Sequence, residues 1–313
     1  MITDEHRGET APLSAEAFDD LYRGIRRWGA WEDADRGAYN LLTPAHTARA
    51  ARLATAGEVV PMALPWATEP DVDNPRPALH HMTDLGDREA PEPSTNKDFI
   101  GIDYHGKSST HLDALAHIAY RGELFDGRES RSVVGATGAR FGAVSALGPF
   151  VGRGVLLDLP VVAGRSWLEP GEAVYADDLL EAERVLGVEM GEADAVLVRT
   201  GHKARRTDLG AWDPSDLSAG LHATAMPVLA DRGISLLGSD GDSDVRPSPV
   251  PGVHSPVHIL ALTALGIPLL DNLDLEAVSQ AAARHGRYEF LFAVLPLNVP
   301  GGTGSPVTPT AVF

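Results

Sequence analysis

The chain has 313 residues, 43% of them hydrophobic, enough to bury the core of one large α/β domain and to exclude a disordered chain. Lys and Arg number 26 against 44 Asp and Glu, and the resulting formal charge of −18 argues against nucleic-acid or anionic-membrane binding. Cysteine is absent, which excludes disulfides, thiolate metal sites and a cysteine nucleophile.

Residues 1–13 read as a loose tail. Met1 to Tyr22 lacks the apolar core of a secretory signal, and no stretch approaches the roughly 20 apolar residues of a membrane helix, so a cytoplasmic protein is expected. Helical patterning begins near Ser14, with Phe18, Leu21, Ile25 and Trp28 on one stripe. Thr43-Pro44 reads as N-cap and first helical residue of a helix that Gly57 closes, and Glu58 to Leu64 reads as a strand. Residues 66–98, from Trp66 to beyond Pro91-Glu92-Pro93, are rich in Pro, Asp, Asn and Glu without an apolar period. They predict a long loop or hairpin arm, and arms of this length are usually functional.

The second half alternates. Strands are expected at Val155 to Leu159, Ala195 to Arg199, Ser235 to Leu237, Ile267 to Leu270 and Tyr288 to Leu297. Helices are expected at Ala176 to Leu186, Val257 to Leu265 and Leu273 to His285, with a polar excursion from Arg199 through Trp212. This predicts an α/β fold with a mixed sheet, as a single domain over residues 1–313. No G-x-S-x-G elbow is present. The run Gly301-Gly302-Thr303-Gly304-Ser305 opens no helix and reads as a turn rather than a phosphate loop.

Three of the twelve histidines fall within thirteen residues, His105-Gly106-Lys107-Ser108-Ser109-Thr110-His111-Leu112-Asp113-Ala114-Leu115-Ala116-His117. Imidazole and carboxylate together suit zinc, manganese or iron. In an extended segment, residues 111 and 113 share a face with Cα atoms about 6.6 Å apart. A helical turn after Ala114 would bring His117 to the same face as Asp113. The bland alternative is a histidine-rich loop with ordinary hydrogen bonds.

The string Thr110 to His117 resembles the H-x-G-T-H-x-D-x-x-x-H signature of the cyclase superfamily of metal-dependent hydrolases, which includes kynurenine formamidase and isatin hydrolase. Trp28-Gly29-Ala30-Trp31, Asn40-Leu41-Leu42-Thr43-Pro44, Gly238-Ser239-Asp240, Pro256-Val257-His258, Asp271-Asn272-Leu273 and Gly301 to Val307 follow in family order. The resemblance implies a swivelling β/β/α, partly barrel-like sheet flanked by helices. It also implies one or two divalent metals, with His111 and Asp113 as ligands and His117 as general acid/base. His258 matches a later ligand, and Asp271 stands where the family has a glutamate. The sequence departs from the signature at Lys107, where the commonest pattern has a ligand histidine; a protonated lysine ligates nothing. His105 is the nearest substitute. Six extended residues span roughly 20 Å, so Gly106 to Ser109 must curl if His105 and His111 are to share an ion.

Elsewhere, His222 and Trp66 are candidates for substrate contact, although Trp28, Trp31 and Trp66 read more readily as core or interface. His80-His81 reads as surface. Asp240, Asp242 and Asp244 suggest a calcium loop, but its Gly and distal Glu are missing, and Asp240 reads instead as a brace or turn cap. Glu289 is a buried partner or an outward strand residue. The expected activity is metal-dependent hydrolysis of a small cyclic or N-acyl amide or lactone. The alternatives are cyclisation, dehydration or isomerisation at the same site, or a degenerate binding protein. The expected partner is a small-molecule substrate. Because the 66–98 arm has few partners in its own chain, a homodimer or homotetramer is expected, the arm reaching a neighbouring subunit.

Overall fold

The apolar runs of the second half become the middle of one sheet. A computed structural model describes residues 10–86 and 93–313. In chain order its strands are β1 Val59–Pro61, β2 Leu79–Asp84, β3 Lys97–Gly101, β4 His111–Asp113, β5 Val134–Gly135, β6 Gly138–Ala139, β7 Phe150–Asp158 and β8 Ala173–Val174. They continue with β9 Ala195–Arg199, β10 Gly220–Leu221, β11 Leu236–Ser239, β12 Leu269–Asp271, β13 Glu289–Val294, β14 Gly304–Pro306 and β15 Thr310–Val312. Nine of them form a mixed sheet in the order β1-β15-β13-β7-β9-β11-β12-β4-β14, curled into a half-barrel and flanked by helices. The central β7, β9, β11 and β12 run parallel, and every other pairing in this sheet is antiparallel.

Both faces of the central strands are buried, which is why they read as continuous apolar runs. Val155, Leu157, Val196, Val198, Leu237 and Leu269 join one core with Phe18, Leu179 and Met226 from the helices. Their neighbours Leu156, Ala195, Leu197, Leu236 and Leu270 join the second core, against Val278 and Ala281 of the helix Glu276–His285. This is the two-residue alternation of a pleated strand.

The first helix is Ala15–Ile25, with the Ser14 hydroxyl accepting from the Ala17 amide at 3.1 Å. Thr43-Pro44 opens a helix that ends at Ala50, short of Gly57. Residues 1–9 lie outside the described residues, but 10–13 are tied down rather than loose. Thr10 donates to the Gly171 carbonyl at 2.9 Å, and the Leu13 amide donates to that of Pro249 at 2.9 Å. The polar excursion before Trp212 contains a helix, His202–Leu209. The arm does carry an antiparallel hairpin, β2 with β3, exposed along most of its length, but it runs past the expected end at 98 to Gly101; residues 87–92 of the arm lie outside the described residues.

Candidate metal centre

Strand β4 is the platform. Leu112 points into the second core, so His111 and Asp113 share the opposite face of the sheet. Pairing with β12 sets Asp271 beside His111, and pairing with β14 sets Gly304 beside Asp113. Asp113 is 1% exposed, and neither of its oxygens has a hydrogen-bond partner among the described residues. Four imidazoles nevertheless surround it: His105 Nδ1 at 2.8 Å and His111 Nε2 at 3.4 Å from Oδ1, and His258 Nε2 at 3.7 Å and His117 Nε2 at 3.8 Å from Oδ2. His105 Nδ1 is close to Oδ1 but not aligned for a hydrogen bond, so donors and carboxylate converge on shared space rather than on each other.

The required curl of Gly106 to Ser109 is present, and Asn272 holds it. Its amide donates to the carbonyls of Gly106 at 2.9 Å and Ser109 at 3.1 Å, from a left-handed backbone with φ 56°. Such strain in a non-glycine residue tends to cluster at functional sites. His111 Nδ1 donates to the Ser109 carbonyl at 2.8 Å, which leaves Nε2 as the free nitrogen. His105 Nε2 is hydrogen-bonded to the Thr303 hydroxyl at 3.0 Å, and its ring stacks on His117 at 3.9 Å. The residues after Asp113 form a turn rather than a helix, the His117 amide bonding the Ala114 carbonyl, and His117 still reaches the centre.

The loop after β11 contributes most of what sequence reasoning missed. The Ser239 hydroxyl accepts from the amides of Gly241 and Ser243, both at 3.1 Å, and ties the loop into a turn. Asp244 accepts from His258 Nδ1 at 2.6 Å and from the Val257 amide at 2.7 Å. That leaves His258 Nε2 facing Asp271 Oδ2 at 3.1 Å and Asp242 Oδ1 at 3.6 Å. Asp242 Oδ2 also takes the Lys107 amine and the Arg246 guanidinium. Lys107 is therefore anchored to a carboxylate of the site, and the Ser243 hydroxyl donates to Asp271 Oδ1 at 2.8 Å.

Burial disfavours the Asp113 carboxylate, yet His111, His105 and His117 hold its pKa below the ordinary range. Burial likewise opposes charge on His258, but Asp271, Asp244 and Asp242 outweigh it and hold this imidazole well above its usual value. His117 goes the other way: burial, only partly offset by Asp113, pushes it down to about 4.

Two groups have ligand atoms within 4.8 Å of one another, His105–His111–Asp113 and Asp113–His258–Asp271. Nitrogen and carboxylate donors with an orphaned buried carboxylate at their centre fit a divalent transition metal. One expectation falls elsewhere. His222 does not join this cluster: its ring nitrogens engage the Thr224 hydroxyl at 2.7 Å and the Ala11 carbonyl at 3.0 Å, so it caps a turn. Trp66 is exposed at the start of the arm. Asp240 is a cap, accepting from the amides of Thr200, Gly201 and His202 and from the Thr200 hydroxyl. Glu289 is a partner, its carboxylate 2.7 Å from Arg153.

A family model described as "Putative cyclase" matches residues 60–243, more than half of the chain. The chain belongs to the cyclase family. This cyclase-family protein superposes on a crystal structure described as a novel cyclase with a TM-score of 0.83 and 29% identity, over 93% of this chain and 99% of that one. An isatin hydrolase bound to the product analogue thioisatinate aligns with a TM-score of 0.57 and 19% identity, over 87% and 99%. A predicted metal-dependent hydrolase from Bacillus stearothermophilus aligns with a TM-score of 0.50 and 18% identity, over 82% and 98%. At these identities the last two show the fold alone. No curated protein matches the chain. Among the described residues, no helix is long and apolar enough to cross a membrane.

Proposed function

We propose that this cyclase-family protein is a metal-dependent hydrolase of a small cyclic or N-acyl amide or lactone. The observation that carries the reading is Asp113, a buried carboxylate with both oxygens unpartnered among the described residues and four imidazoles around it. His105, His111 and Asp113 would hold a divalent ion, zinc or manganese, and Asp113, His258 and Asp271 are grouped to hold a second. The chemistry such an ion supplies is Lewis acidity, which polarises a carbonyl and acidifies water. Thr303 turns His105, and Asp244 turns His258, so that one nitrogen of each ring faces the centre. His117 is a quarter exposed and makes no hydrogen bond through its ring among the described residues, so it can take a proton from water and return it to the leaving nitrogen or oxygen.

The test compares hydrolysis of cyclic amides, N-acyl amines and lactones by chelated, zinc-loaded and manganese-loaded protein. Chelation should abolish turnover and reloading should restore it. His117→Gln should lower kcat by about 10² to 10⁴-fold while metal content stays unchanged. Equal turnover with and without metal would overturn the reading. Lys107 favours a second one, in which the same residues cyclise or dehydrate a biosynthetic intermediate, because it stands where the family signature has a histidine. Reaction in ¹⁸O-labelled water separates the two, since a product without label cannot come from hydrolysis.

A further inference from the structure

Beside the centre lies a cleft of about 130 Å³ that none of the chemistry above uses. Leu64, Pro65 and Ala67 form one wall, and Lys107, Lys203 and Arg206 contribute to the rest. Positive lining is unexpected in a chain of net charge −18. The two carboxylates that also line the cleft are engaged: Asp73 pairs with Arg206, which Asp71 also takes at 3.2 Å, and Asp240 turns both oxygens onto Thr200, Gly201 and His202, so Lys107 and Lys203 are the cations left to face it. Lys107 shares the single carboxylate of Asp242 with Arg246, so two cations face one anion. The partly buried Lys203 side chain makes no ion pair or hydrogen bond among the described residues. A cation removed even partly from water without a partner is unfavourable, and an incoming anion relieves that cost.

The cleft also lies where the fold puts ligands. His202, Asp240 and Asn272 follow the carboxyl ends of the parallel strands β9, β11 and β12, where open α/β sheets bind them. It connects to the centre through Lys107, because the Asp242 that holds this amine has its other oxygen 3.6 Å from His258 Nε2.

We infer that this cleft is a carboxylate subsite, with Lys203 and Lys107 reading the acid and the Leu64–Pro65–Ala67 wall taking an apolar body. The inference rests on the hydrolase reading and narrows it: the amide or lactone substrate itself carries a carboxylate.

Calorimetry on manganese-loaded protein tests the cleft directly, with benzoate, its neutral isostere benzamide, and phenyl phosphate as probes. Benzoate should bind at least about tenfold more tightly than benzamide, as a charge-assisted contact predicts. Lys203→Met should erase that preference with metal content unchanged, and Lys203→Arg should restore it. Equal affinity for benzoate and benzamide would overturn the subsite. So would benzoate binding untouched by Lys203→Met, which would put the acid on the metal, or tighter binding of phenyl phosphate, which would change the ligand class. Turnover of N-benzoylglycine and its amide, measured in parallel, addresses the hydrolase reading separately. Failure to hydrolyse either would count against that reading, while the calorimetry alone decides the cleft.

Discussion

Gly304 shows how narrowly His105 is held. A methyl group at this position would sit 2.5 Å from the Leu112 carbonyl oxygen and 2.9 Å from His105 Cε1, so β14 must pack against the ring without a side chain. Gly304→Ala should displace His105 and weaken metal binding by about 10 to 100-fold, the usual effect of disturbing a ligand's support. Competition with a chromophoric chelator measures this, and unchanged affinity would remove His105 from the ligand set. Asp244→Asn should weaken metal binding to a similar extent, about 10 to 100-fold, with the far-ultraviolet spectrum retained. One amide oxygen cannot replace a carboxylate that accepts from both the His258 ring and the backbone. The pairing of His111 with Asp113 was legible in the sequence because strand periodicity alone puts them on one face. Thr303 was not, since it meets His105 across 198 residues. Nor were the roles of Asp242 and Asp244, which a local reading could compare only with a calcium loop.

At the scale of elements, the same contrast recurs. Ala195–Arg199 and Ala176–Leu186 were visible as apolar periods, and the structure keeps their bounds. The helix His202–Leu209 has no apolar stripe, so its sequence reads as a polar excursion. It starts because Gly201 takes φ 83° against the Ser166 carbonyl, where a methyl group would sit 2.6 Å away, and because Asp240 caps the first amides. His202, in the first turn, has its pKa pushed down to about 4, mainly by burial. Arg206 and Arg205 push the same way, against Asp73 and Asp242. Its ordinary value is about 6.5, so the unfolded chain takes up the proton first and the fold loses stability as pH falls from 6.5 toward 4. Between pH 7 and pH 5 this group should cost about 2 kcal/mol of stability. Urea melts at the two pH values should show His202→Gln losing less than the parent chain. An identical loss would place the acid sensitivity elsewhere.

For the whole molecule, the exposed hairpin bears on assembly. Leu79, Met82, Phe99 and Ile100 are each roughly half exposed, and a two-stranded hairpin is marginal in water by itself. We expect a second copy of the chain to cover it, giving at least a dimer by light scattering at micromolar concentration. Phe99→Glu with Ile100→Glu should shift the population toward monomer. A monomeric parent chain would defeat the expectation, and an unshifted oligomer in the double variant would move the interface off the hairpin.

The pairing of β4 has a consequence for how the protein comes together in time. Its partners in the sheet are β12 and β14, neither of them near it in sequence. His111 and Asp113 can lie in one short segment from the start, but His258, Asp271 and the Gly304 strand reach them only after long loops close, which is slow. During refolding, the ability to capture a metal should therefore recover later than the helical signal, with an interval in which a folded-looking chain cannot be charged. Simultaneous recovery of the two signals would mean that the centre forms locally, from residues 105–117 alone.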